Sequence, residues 1–278
     1  MNNISVKPPI QDLFIYYIKG RVAPDSIGRA SDFLGLWEEE DDAFLFFTKS
    51  SDDNVASVLD AQPHLELMDR FEMTYEQWHG GPIEPLTVGA LHVIPPWHPS
   101  AKDRDKNTLF LDPGVVFGTG THPTTQDCLT AVQLALTHRQ VRRVIDLGTG
   151  TGLLSLAAIQ MGSNACLALD LNRLAAETAW RNVIRNGMCE QILVVQGDAK
   201  NFMDLSCDLM VSNIHYDVMR HIIAGKGFQV PKQFILSGLL RSQASDVEAR
   251  LMSGPAKILE KWERDGIWTT FYGEIVGR

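Results

Sequence analysis

The segment Val144-Ile145-Asp146-Leu147-Gly148-Thr149-Gly150-Thr151-Gly152 constrains the fold more than any other part of this sequence. An apolar run that stops at three alternating glycines and resumes as an apolar stretch over 153–161 predicts a strand, a tight turn and a helix. The same alternation continues downstream. Strands are expected at 166–169, 192–196, 209–212 and 233–236, helices at 173–186, 216–224 and 242–252, and two late strands near 257–264 and 268–275. A helix over 124–136 precedes the series. Such an order predicts an α/β domain with a largely parallel, Rossmann-like sheet covered on both faces, binding its ligand beyond the carboxyl ends of the strands.

The first 76 residues follow a different rhythm. Strands are expected at 13–18, 43–47 and 65–75, with helices at 25–36, carrying Ile27, Phe33 and Leu34, and at 55–62. This predicts a small α+β domain over 1–76. Residues 77–108, with Trp78, Pro95-Pro96-Trp97 and a strand pair within 86–94, read as a stiff, packed linker to a second domain over 109–278, which opens with a short strand at 109–111. A length of 278 residues has room for two cores.

Composition narrows the function. Acidic residues outnumber basic ones 34 to 25, a net charge of -9, which argues against a protein that works by neutralising phosphates and suits a basic partner. The run Glu38-Glu39-Glu40-Asp41-Asp42 reads first as a solvated turn. Cys128, Cys166, Cys189 and Cys207 lack zinc-site spacing, His79, His98 and His215 lack ligand spacing, and no metal is expected. No signal peptide is evident and no apolar run approaches the ~20 residues that span a bilayer, so a reducing, cytoplasmic setting is expected.

The glycines Gly148, Gly150 and Gly152 admit two ligands. A nicotinamide dinucleotide needs two residues between the last two glycines, and here there is one. Asp146, just before the turn, would repel a pyrophosphate but would receive the cationic amino end of S-adenosylmethionine. Asp170, at the end of the next strand, suits the ribose hydroxyls of either cofactor, with Leu171 beside it. Asp198 and Ala199, after the third strand, are placed at the adenine edge, although a helix cap also accounts for Asp198.

Three motifs then carry a resemblance. Leu111-Asp112-Pro113-Gly114-Val115-Val116-Phe117-Gly118-Thr119-Gly120-Thr121-His122-Pro123-Thr124-Thr125, Val211-Ser212-Asn213-Ile214 and Phe234-Ile235-Leu236-Ser237-Gly238-Leu239-Leu240 resemble the bacterial PrmA family, methyltransferases of protein eleven of the large ribosomal subunit. The resemblance implies a seven-stranded class I methyltransferase domain with S-adenosylmethionine as cofactor. It implies that Phe117, Gly118, Thr119, Gly120 and Thr121 contact the cofactor and enclose the reaction site. Thr149 of the glycine turn is also expected at the cofactor, although it and Thr151 stand where the family commonly carries Cys and Ser. It also implies that Asn213 faces the acceptor, as the first catalytic candidate beside Thr121, and that Asn213 borders the cofactor as well. His122 precedes the helix-starting Pro123 and reads as architectural rather than as a base. His215, Tyr216 and Trp97 are the expected acceptor-pocket residues. The family commonly has Ile-Leu-Ala after the asparagine, whereas Ile214 here leads into His215-Tyr216-Asp217.

The implied reaction is methylation of lysine ε-amines, and of an N-terminal α-amine, on a basic ribosomal protein, with no nucleic acid substrate and no membrane. The small domain would present that protein. Two alternatives stay open: lysine methylation of a non-ribosomal protein, and a non-catalytic cofactor-binding module.

Overall fold

The computed structural model describes residues 8–23, 27 and 30–276. Strands β1 (Asp12–Lys19), β2 (Phe33–Glu39) and β3 (Asp42–Phe47), helix α1 (Asp52–Ala61) and strand β4 (Glu66–Thr74) form the first unit, an antiparallel sheet ordered β2-β3-β1-β4. Tyr16, Ile18, Leu45 and Phe47 on one face of this sheet bury Val55 and Val58 of α1.

The helix expected over 25–36 is corrected here: residues 33–36 belong to β2, residues 24–26, 28 and 29 lie outside the described residues. Phe33 to Glu39 pairs with β3 from Phe33↔Phe47 to Glu39↔Asp42, so the acidic run is the hairpin and its turn, with Glu40 at a φ of 54°. Helical spacing of Ile27, Phe33 and Leu34 lost to long-range pairing, which supplies the backbone with partners and covers the aromatic face of β3.

The short helix α2 (Tyr75–Trp78) leads to β5 (Leu86–Val88) and β6 (Leu91–Ile94), which form a three-stranded sheet with β7 (Thr108–Phe110). The strand expected at 109–111 therefore pairs with the chain of the expected linker, parallel to β6, rather than with the large sheet.

The large sheet is built by α3 (Pro123–His138), β8 (Arg143–Leu147), α4 (Leu153–Gln160), β9 (Ala165–Asp170), α5 (Arg173–Asn186), β10 (Ile192–Gln196), β11 (Leu209–Asn213), α6 (Tyr216–Ala224), β12 (Gln233–Leu240), α7 (Arg241–Met252), β13 (Ala256–Arg264) and β14 (Trp268–Ile275). Its order is β10-β9-β8-β11-β12-β14-β13, with β14 antiparallel to both neighbours. The order reverses between β8 and β11, which is where ligands of such sheets bind. Helices α3 and α4 cover one face through Leu129, Val132, Leu156 and Ala157, and α6 and α7 cover the other through Met219, Ile222, Val247 and Leu251. β12 runs four residues beyond its expected end because β14 pairs along it, past an irregularity, to Leu240↔Trp268.

One apolar cluster joins the first sheet to the large unit. Leu13, Ile15, Phe46 and Tyr75 pack with Val115 and Val116 and with Leu174 and Ala175 of α5. Leu174 is buried against Gly35 of β2, and Leu174→Ala is expected to cost ~2–5 kcal/mol by urea unfolding, the range for a buried leucine whose cavity stays open. A cost below about 1 kcal/mol would mean that this contact contributes little to the fold.

Candidate cofactor and acceptor site

The glycine turn is held from below by a buried polar group. Asp146 near the end of β8 accepts hydrogen bonds on Oδ2 from Thr149 Oγ1 and Ser155 Oγ, both at 2.7 Å, while its Oδ1 is buried without a partner. Burial is the main cause that pushes its carboxyl up to about 6, the two hydroxyls acting in the opposite direction. Above the carboxylate the turn is closely packed by other parts of the chain. At Gly150, a φ of 56° suits glycine, and a Cβ would lie 2.8 Å from the Phe117 carbonyl oxygen. At Gly148 a Cβ would meet Ile214 Cγ2 at 2.1 Å. Gly152 then caps the amino terminus of α4, whose apolar residues are buried on all sides.

Asp170 ends β9 beside this turn. Its Oδ2 accepts from the Gly150 N–H and its Oδ1 from the Asn172 N–H, both at 2.9 Å. Each oxygen keeps a second acceptor site. Burial raises this carboxyl as well. Leu171 projects outward, 70% exposed. Asp198 accepts on Oδ1 from the Lys200 N–H at 2.9 Å, so the capping reading accounts for one of its oxygens; Ala199 beside it is half-buried.

The Phe117 to Thr121 loop is fastened to the turn. Thr151 Oγ1 donates to the Gly118 carbonyl at 2.8 Å, and Asn182, fully buried on α5, donates to the carbonyls of both Thr151 and Asp112 at 2.9 Å. Thr119 and Thr121 share a hydroxyl hydrogen bond of 2.7 Å, Gly120 is buried, and the Phe117 ring is 61% exposed above the loop. His122 caps α3, with Nδ1 accepting from the Thr124 N–H at 3.4 Å and lying 2.7 Å from Thr124 Oγ1. Its ring stands edge-on between Phe117 at 5.5 Å and Trp268 at 5.0 Å, and burial lowers its pKa. This packing supports the architectural reading.

Asn213 ends β11 next to Ser237 of β12. Its Nδ2 donates to Thr125 Oγ1 at 3.5 Å, leaving Oδ1 on the side of Gly238, where a Cβ would come within 3.1 Å of it. The residues expected in the acceptor pocket separate. His215 is exposed at the start of α6, whereas the Tyr216 hydroxyl donates to Asp246 of α7 at 2.7 Å. Trp97 packs edge-on to Tyr75, 6.3 Å away, in the apolar cluster between the units.

Several groups were not singled out from the sequence: Ser155 under Asp146, Asn182 behind the loop, and Trp268 against His122. Ser155 carried a signal, as the one polar residue in the run Leu153-Leu154-Ser155-Leu156-Ala157-Ala158-Ile159. The partnerless oxygen of Asp146 and the spare acceptor sites of Asp170 fit the amino end and ribose of S-adenosylmethionine better than a pyrophosphate. No group of three or more metal-ligating side chains occurs among the described residues, and no helix among them is long and apolar enough to cross a membrane.

Comparison with known proteins agrees with this arrangement. A protein from Exiguobacterium sp. named ribosomal protein L11 methyltransferase is 35% identical over 62% of this chain and 57% of its own length, so the match spans under two thirds of that relative. One of the same name from Myxococcus xanthus is 30% identical over 78% of this chain and 72% of its own. The crystal structure of ribosomal protein L11 methylase from Lactobacillus delbrueckii subsp. bulgaricus superposes with a TM-score of 0.60 at 27% identity, covering 69% of this chain and 98% of that one. The family described as ribosomal protein L11 methyltransferase (PrmA) matches residues 27–274, and this chain, with its seven-stranded sheet and its turn, loop and asparagine at the carboxyl ends of the strands, belongs to that family.

Proposed function

We propose that the chain transfers methyl groups from S-adenosylmethionine to lysine ε-amines, and to the N-terminal α-amine, of the large-subunit ribosomal protein L11. The observation that carries this reading is the convergence of three parts on one edge of the sheet: the glycine turn over Asp146, the Phe117 to Thr121 loop fastened to it, and Asn213 at the end of β11. The names of the relatives supply the acceptor.

In this reading Asp146 and the turn hold the amino end of the cofactor, Asp170 holds its ribose, Leu171 covers it, and Asp198 with Ala199 borders the adenine. Bound S-adenosylmethionine supplies an already activated methyl group, so the protein has to align a neutral amine rather than generate an electrophile. A free lysine, with a pKa of about 10.4, is charged at pH 7. Desolvation beneath the Phe117 ring favours the neutral amine. Asn213 Oδ1 accepts one amine N–H and so fixes the direction of the lone pair, with the Thr121 hydroxyl at the rim. His122 has its pKa lowered by burial, is neutral at pH 7, and adds no positive charge to oppose the incoming group. The first unit, on this account, holds the protein substrate.

The test is methyl transfer from labelled S-adenosylmethionine to purified L11, followed by mass analysis of the modified residues. Repeated methylation of amines is expected, with Asn213→Ala reducing the rate by ~100-fold, as for a lost positioning contact. No transfer by an enzyme that binds the cofactor would sink the ribosomal reading and turn the search to another lysine-bearing protein, with exposed His215 as the first residue to vary.

A further inference from the structure

The outer strand of the first sheet has features that packing within the chain leaves unused. β4 lies at the sheet edge and pairs with β1 alone among the described strands, and seven consecutive residues, Glu66 through Glu72, are exposed. Three of them are large and apolar: Leu67 at 43%, Met68 at 50% and Phe71 at 39%. Between and beside these stand the carboxylates Glu66, Asp69 and Glu72.

The strand's one base does not balance them. Arg70 folds back onto its own sheet, where its guanidinium donates to both oxygens of Asp52 at 2.7 and 2.9 Å and lies over the Phe14 and Tyr16 rings. The outward charge of the strand is therefore negative.

Charges on an edge strand protect it from pairing with copies of itself, and here two antiparallel copies would set carboxylates against carboxylates. Protection alone does not call for three exposed apolar side chains beside the charges. Pairing with β1 shifts register between Asp69 and Leu67, and the Arg70 N–H donates to Asp69 Oδ1 at 2.7 Å. The remaining edge groups, with the apolar side chains and acids of one sign, are complementary to an extended segment that carries both lysines and apolar residues.

We propose that β4 is a docking strand that receives an extended, lysine-rich segment of the protein substrate by strand addition. The proposal rests on the reading that the substrate is a protein with lysine acceptors, and it adds where and by what chemistry that protein is held.

Two probes separate the proposal from that reading: L11, and a synthetic ten-residue peptide alternating lysine and valine. Hydrogen exchange followed by mass analysis on the full chain is expected to show slower exchange across 66–73, by ~10-fold or more, with either probe. A peptide alternating glutamate and valine is expected to leave the segment unchanged. The triple variant Glu66→Lys, Asp69→Lys, Glu72→Lys should lose the protection and raise KM for L11 at least ~10-fold, with kcat and the affinity for S-adenosylhomocysteine within about twofold of the parent. Protection by the lysine peptide without methylation of L11 would keep the docking strand and remove the ribosomal acceptor. Methylation of L11 with unchanged exchange across 66–73 and an unchanged KM in the triple variant would overturn the docking strand and leave the enzyme reading in place.

Discussion

Asp146→Asn is expected to weaken binding of S-adenosylhomocysteine by ~10-fold or more while raising the melting temperature of the ligand-free protein. The two effects share one cause. A buried carboxylate pushed up to about 6 from 3.8 is held less comfortably in the folded chain than in the unfolded one. Because its folded pKa is the higher, its contribution to stability is greatest below 3.8, declines as pH rises toward about 6, and is flat above that. A two-unit shift corresponds to about 3 kcal/mol at neutral pH. The amide removes that cost but also removes the charge proposed to attract the cofactor's amino group. Calorimetric titration of the parent enzyme should show affinity falling as pH drops below about 6, with a flatter profile in Asp146→Asn. Asp170 is also raised by burial, so any slope left in the variant is assigned to it. A variant that melts lower and binds normally would show that the Thr149 and Ser155 hydroxyls outweigh burial and that the charge plays no part in binding.

Gly238→Ala should separate chemistry from cofactor binding. Gly238 has a φ of 83° and lies in the stretch of β12 where pairing with β14 shifts register. A Cβ there would sit 3.0 Å from the Ile214 carbonyl oxygen and 3.1 Å from Asn213 Oδ1, on the oxygen assigned to the acceptor amine. The methyl group both crowds that oxygen and meets a backbone region costly to a side chain by ~1–2 kcal/mol. Methyl transfer is expected to fall ~100-fold or more, with S-adenosylhomocysteine binding within about twofold of the parent. Full activity in a folded Gly238→Ala protein would move the acceptor away from the Gly238 side of Asn213.

The contrast between what could and could not be read from the sequence follows the range of the interactions. Helices α5 and α6 and strand β10 were legible to the residue, because such elements are bounded by local signals: Asn172 caps α5 at one end and Gly187, at a φ of 70°, ends it at the other. β2 was not legible, since its strand state depends on β3 and on Leu174 far along the chain. The cofactor turn was visible as a run of glycines, but the buried hydroxyl of Ser155 that completes Asp146 was hidden in an apolar helix. Asn182 and Trp268 act across long sequence separations, and no spacing rule joins them to the loop they support. Tyr216 was chosen for its neighbourhood to Asn213 in sequence and Trp97 as a linker residue, and neither choice carried a signal of its partner, Asp246 for Tyr216 and Tyr75 for Trp97.

The apolar cluster between the first sheet and α5 bears on which amines can be reached. Leu13, Ile15 and Phe46 are interlocked with Val115, Val116 and Leu174, and Val116 directly precedes the loop at Phe117. Close-packed side chains resist sliding, so the first unit, proposed above to hold the protein substrate, keeps a set separation from the proposed point of transfer. On the proposed reading such an arrangement would measure length: the amine modified would be the one at the matching span from the docked segment, and a second site on the same substrate would be reached by re-seating the substrate rather than by bending the enzyme.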